Sequence, residues 1–195
     1  LTDDQFYMLA ACNAPVGKDC RAPYVRWPKN VAHALGLAVV ISGSTHDAGK
    51  HARIQAAVAV AIAEINSAGS GVQFRLVPEG QAKMVLHIVT RDEMRAYVKS
   101  SSSSSSREDS AAVGYSTIWW NSHNWISNAE IRISDEILDR DIQSVVLEEI
   151  FQGLGFLTDI RGKDYAGRSI LSETSNATVT IGGQDQMLLF RHYPD

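Results

Sequence analysis

The stretch LEEIFQGLGFLTD, residues 147–159, decides the reading of this chain. A helix turns about 100° per residue, so Glu148, Glu149 and Gln152 share one polar arc. Val146, Leu147, Ile150, Phe151 and Leu154 face the other way. The amphipathic pattern starts near Asp141, within helical sequence that begins at Asp135. Gly155 stands where helices commonly end in a left-handed residue. Taken alone, such an arc is what the solvated face of any surface helix looks like.

Outward from this helix the chain alternates between strand and helix patterns. Residues 111–120 and 125–134 are β-compatible runs joined by Asn121-Ser122-His123-Asn124, which predicts a hairpin-like pair. Trp119 and Trp120 are neighbours in the first run, so one of them is expected in the core. Farther back, Val31 to Ser42 predicts a strand or strand pair. Ser44-Thr45-His46-Asp47 then caps a long helix reaching about Ser67, with Ile54, Val58, Ala61 and Ile65 on one face. Two short strands come next at 72–77 and 83–89, separated by Pro78-Glu79-Gly80, and then a short helix at 91–98. Residues 99–110 contain seven consecutive serines, Ser100–Ser106, which bury no apolar area and predict a mobile exposed loop. After residue 159 come a loop with Gly162, Gly167 and the sequon Asn176-Ala177-Thr178, and a last helix over 184–192. The first 30 residues, rich in turn formers, are expected to be irregular.

This order of elements and the central motif resemble the zincins, and within them the metzincins. Zincins carry His-Glu-x-x-His, two imidazoles one helical turn apart that grip zinc with a glutamate between them to handle water. Here Glu148, Glu149 and Gln152 occupy those places. Metzincins add a glycine at the eighth position, matched by Gly155, and a third ligand at the eleventh, where Thr158 stands with Asp159 next to it. The ending Asp185, Leu189, Tyr193 is similar to the last-helix pattern of matrixins. The variant EExxQxLG with an aspartate shortly after it looks most like a family of secreted bacterial metzincin-like proteins of unknown function. The resemblance implies an α+β, zincin-like fold in one domain spanning residues 1–195, with a mixed, twisted sheet packed against the long first helix and the motif helix. It also implies a methionine turn near Ser169-Ile170-Leu171-Ser172, and there the sequence departs, having no methionine.

The residue chemistry narrows what the motif can do. Carboxylate and amide oxygens in place of imidazoles make a hard oxygen set, unsuited to zinc and better matched to calcium or another hard divalent ion. No cofactor is expected. The leading expectation is a non-catalytic module that binds a peptide or protein in the cleft beside the motif helix, through Glu148, Gln152, Asp159, Trp120 and His123. The alternative is a peptidase-like hydrolase in which Glu149 is the general base and the neighbouring oxygens hold an ion or polarise the substrate. The motif argues against a glycosidase, because Glu148 and Glu149 share a helix face and cannot flank a scissile bond. The six histidines show no metal-ligand spacing, and neither a GxSxG elbow nor a phosphate-binding glycine loop occurs.

Composition sets the remaining bounds. Across 195 residues, 45% are hydrophobic and 21% charged, the balance of a folded globular protein, and the net charge of −4 argues against nucleic acid as a partner. The longest apolar run, Ala56 to Ala63, is too short to cross a bilayer. Residues 1–8, LTDDQFYM, have neither the basic nor the long apolar region of a signal peptide. Cys12 and Cys20 enclose a loop with Pro15 and Gly17, which predicts a disulfide and an extracytoplasmic location, two free thiols in the cytosol being the alternative.

Overall fold

The computed structural model describes residues 1–101, 113–174 and 177–195. The first departure from expectation is at the N-terminus, where Asp3–Cys12 form a helix, α1. Its start is a capping box: the Gln5 N–H donates to Thr2 Oγ1, and the Thr2 N–H donates to Gln5 Oε1. Phe6, Ala10 and Ala11 bury one face of α1 in the main core. The irregular stretch is therefore confined to the residues after α1, where Cys12 and Cys20 are joined in a disulfide.

A one-turn helix, α2 (Lys29–Ala32), leads into the first strand, β1 (Leu35–Ile41). The long helix α3 (Ala48–Ser67) starts at Asp47, whose carboxylate accepts from the Lys50 N–H at 2.8 Å. Ile54, Val58, Ala61 and Ile65 are all buried, as their spacing predicts. Then come β2 (Phe74–Leu76), β3 (Met84–Val89), α4 (Arg91–Ser101), β4 (Gly114–Trp120) and β5 (Ile126–Ser134). The motif helix is α5 (Ile142–Gln152) and the last helix is α6 (Gly183–His192). Of the serine-rich stretch 99–110, residues 99–101 close α4, and the expected mobile loop otherwise lies outside the described residues, as does Asn176 of the sequon.

The five strands form one mixed sheet in the order β2-β1-β3-β5-β4. All neighbours are parallel except β4, which runs antiparallel to β5 and occupies an edge. One face carries Leu35, Leu37, Met84, Leu86, Ile88, Ile131 and Ile133, all buried, and packs on α3 and α5. On the other face α4 covers a smaller cluster of Val89, Met94 and Val98 with Tyr115 against it. The architecture is thus the α+β mixed sheet with two principal helices that the sequence predicts. One detail is corrected: Trp119 and Trp120 are both substantially exposed, at 43% and 45%. The register shifts between them, so the alternation that would have buried one of the pair is lost.

Gly155 couples the motif helix to the N-terminal segment. Its φ of +106° is a conformation that residues with a Cβ avoid, and a Cβ there would collide with the Val25 carbonyl oxygen. Gly155→Ala is expected to lower the unfolding free energy by about 2 kcal/mol or more, read as a lower urea midpoint.

Candidate functional site

The site is built at the end of α5, where the last carbonyls of a helix need partners. The Trp27 indole N–H donates to the Gly153 carbonyl at 3.0 Å, and the Tyr193 hydroxyl donates to that of Leu154 at 2.5 Å. Tyr193 in turn accepts from the Trp27 backbone N–H at 3.1 Å. Burial pushes the Tyr193 hydroxyl well above its ordinary pKa, so it stays a donor. Beside it, His192 is buried against Phe156 and Tyr193. Burial pushes its pKa down to about 4, leaving a neutral ring. A carbonyl can only accept, so the contact of 2.9 Å between His192 Nε2 and the Val25 oxygen places the ring proton on Nε2. Nδ1 then accepts from the Tyr7 hydroxyl at 3.0 Å. The chain is thereby clasped around the end of the motif helix from both termini.

Along α5 the two glutamates sit in different surroundings, and neither lies on a simple solvated face. Glu149 is buried, at 7% exposure, because the edge strand β4 passes over it. Its Oε2 is 2.5 Å from the Ser116 hydroxyl, which also lies 2.8 Å from the Glu149 backbone oxygen. A Cβ on Gly114 would meet Glu149 Oε1 at 2.5 Å and Val145 Cγ1 at 2.7 Å, so with a side chain at position 114 either these groups or the strand would have to shift. Burial raises the Glu149 pKa to about 7 against the Ser116 hydrogen bond, which lowers it, with Asp159 adding to the rise. Ser116 has one proton and two acceptors in reach. A protonated Glu149 removes that conflict by donating to Ser116 while Ser116 donates to the backbone oxygen.

Glu148 is half-buried, and burial followed by the nearby charges of Glu149 and Asp159 pushes it up to about 9. It is therefore a neutral carboxyl, a hydrogen-bond donor, near pH 7. Gln152 donates its side-chain amide to Asp159 Oδ1 at 3.1 Å. Four of the residues to which the sequence points, Glu148, Glu149, Gln152 and Asp159, thus come together. Trp120 and His123 do not join them. Both are exposed and lie toward the β4–β5 turn, Trp120 four residues and so about 13 Å along the strand from Ser116. Ser116 and Gly114 lie outside the residues that the motif points to. A glycine opening a strand is a known mark of close backbone approach, whereas the serine carries no local signal. A groove of about 610 Å³ continues past Thr158 and Asp159, bounded by Arg21, Arg161 and Glu173. Arg161 and Glu173 are ion-paired at 2.8 Å.

The residues present do not fit zinc. Among the described residues, no three His, Cys, Asp or Glu side chains form a group that could hold a metal ion. The Gln152 amide is turned to Asp159 as a donor, and no imidazole stands on this face of α5.

A further buried carboxylate anchors the loop where the resemblance places the methionine turn. Asp185 accepts from the Ser169 hydroxyl at 2.8 Å and the Ile170 N–H at 2.7 Å, and burial raises its pKa to about 6 against these bonds. Ile170 and Leu171, both buried, supply the apolar support there.

Residues 7–195 match the family described as "Protein of unknown function (DUF2927)", and the chain belongs to that family. No curated protein matches the chain. Two solved structures of myroilysin are similar to it. One is 14% identical, with a TM-score of 0.48, and the alignment covers 87% of this chain and 82% of that one. The other is 13% identical, with a TM-score of 0.47, covering 88% and 86%.

The buried groups set the pH dependence of stability. For Glu148, Glu149 and Asp185 the folded chain holds the proton more tightly than the unfolded chain does. Their contribution is full below about pH 4 and is lost as pH rises through about 6 for Asp185, about 7 for Glu149 and about 9 for Glu148. His192 acts in the opposite sense: its contribution is present above about pH 6.5 and is lost as pH falls through about 4. Melting temperature is therefore expected to decline between about pH 7 and 9, and Glu148→Gln to flatten that decline, in thermal melts taken across the range.

Proposed function

We propose that this member of the DUF2927 family is a non-catalytic binding module that takes an extended peptide along the outer edge of β4, above a zincin-type motif that has lost its histidines. The observation that carries this reading is the outer backbone edge of β4, at the end of the strand order and beside the buried carboxyl. The Ser134 N–H donates to the Val113 oxygen, and Tyr115 and Thr117 pair with Arg132 and Glu130. In an antiparallel ladder that alternation turns the N–H and C=O groups of Gly114, Ser116 and Ile118 outward. Among the described residues no strand pairs with that edge.

An added strand would complete these hydrogen bonds, and its side chains would reach Trp119 and Trp120 at one end and Glu148 and Asp159 at the floor. Glu148 would act as a neutral donor to a peptide carbonyl. The resemblance to metzincins supports the placement of a peptide beside this helix. The Cys12–Cys20 disulfide supports an extracytoplasmic location for it, and no described helix is long and apolar enough to cross a membrane. No metal takes part in this reading.

Peptides selected from a random phage-displayed library are expected to bind and to slow amide hydrogen exchange at Gly114, Ser116 and Ile118. Selection of no binder, or protection confined to another part of the surface, would refute the reading.

One observation favours the hydrolytic alternative: the Glu149 carboxyl is tuned to about 7, which suits a general base. That role needs water to reach a group now covered by Gly114 and Ser116. On the binding-module reading, purified protein cleaves none of a mixed peptide library with or without added calcium, manganese or zinc. A peptidase activity abolished by Glu149→Gln would establish the alternative instead.

A further inference from the structure

A second concave site lies away from the motif helix, between the N-terminal segment and the β4–β5 turn. Its volume is about 370 Å³, large enough for a small ligand, and it is lined by Tyr7, Tyr24, Arg26, His123, Asn124 and Trp125 together with the buried His192. The site is held in shape by backbone bonds. The Arg26 N–H donates to the Asn124 oxygen and the Ile126 N–H to the Arg26 oxygen, so the segment pairs with the turn as a short parallel bridge. Asn121 Oδ1 accepts from the His123 and Trp125 N–H groups, and Asn124 takes a left-handed φ of +60°.

Three kinds of chemistry converge there. The rings of Tyr7 and Tyr24 stack at 5.8 Å with planes 17° apart, and Trp125 shares the lining with them. Arg26 lies over the Trp125 ring at 5.2 Å, and its guanidinium donates a long hydrogen bond of 3.4 Å to the His192 carbonyl. Among the described residues no carboxylate is within ion-pairing distance of Arg26. A guanidinium fork has five donors and matches a carboxylate in two of them. His123 and Asn124, both exposed, add polar side chains at the rim. His192 is neutral and brings no competing cation.

We propose that this cavity binds a carboxylated sugar ring, the carboxylate on the Arg26 fork, the apolar ring face on Tyr24 and Trp125, and the hydroxyls on Asn124 and His123. The aromatic faces alone would suit any flat apolar group. The amide and imidazole beside them favour a ring edged with hydroxyls. The site is independent of the peptide-binding reading, since none of its residues belongs to α5 or to the outward-facing positions of β4.

Titration calorimetry and amide chemical shifts with glucuronic and galacturonic acids test the assignment, with glucose, galactose and benzoate as controls. Acidic sugars are expected to bind with shifts centred on Asn124 and the Trp125 indole, and the neutral sugars to bind about tenfold or more weakly. Arg26→Gln, which keeps the backbone bridge, is expected to cost about tenfold in affinity for the acids. Tyr24→Ala, at an exposed position, is expected to weaken both acids, and it serves as the test if Arg26→Gln lowers the melting temperature enough to prevent comparison. The proposal is overturned if the acidic sugars do not bind, if glucose and galactose bind as tightly, if benzoate matches the sugar acids, or if the variants leave affinity unchanged.

Discussion

The termination of α5 is the constraint on which the rest of the molecule depends. A buried helix end leaves carbonyls that cost roughly 1–3 kcal/mol each when unpaired. Here Trp27 and Tyr193, from opposite ends of the chain, supply the donors. Gly155 then lets the backbone turn sharply enough for Val25 to come alongside and take its bond from His192. Residues far apart in sequence are thereby tied to one point. The same clasp positions Arg26 next to the β4–β5 turn, so the helix end also helps set the shape of the second cavity.

Electrostatics at the motif is set by packing rather than by the residues' own preferences. A carboxylate placed where Glu149 sits loses most of its hydration, and a serine hydroxyl replaces only part of it. The resulting balance raises the pKa without removing the hydrogen bond. Glu148 is raised further, because burial and two acidic neighbours all act on it in the same direction. Of the acidic groups in this cluster, Glu148 is therefore protonated near neutral pH and Glu149 titrates close to it. Glu148 and the Gln152 amide thus present donors at this site, while Asp159 accepts.

How much of this is legible in the sequence depends on the range of the interaction responsible. The long helix α3 can be read from Ile54, Val58, Ala61 and Ile65, because one periodic face is a local property. The hairpin, the motif helix and the last helix are legible for the same reason. The N-terminal helix escapes notice although Thr2 and Gln5 spell a capping box, since the turn-forming residues behind it dominate the pattern of that segment. Burial of Glu149 is not legible at all: on a helical wheel it belongs with Glu148 and Gln152, and only the passage of Gly114 and Ser116 overhead removes it from water. The exposure of both tryptophans is hidden likewise, as a register shift arises from pairing with β5 and leaves no mark in the strand itself.

The loop at 169–172 is fixed by means other than the methionine that the resemblance implies. Where the resemblance calls for a methionine, Ile170 and Leu171 fill the core, and Asp185 fixes the loop through a backbone amide and a serine hydroxyl. An unpaired carboxylate buried there would be costly, so those bonds and the loop conformation require one another. The loop is thus satisfied in both packing and hydrogen bonding, while among the described residues no three His, Cys, Asp or Glu side chains form a group that could hold a metal ion. The proposed peptide site asks for a rigid floor and an unpaired strand edge rather than for imidazoles.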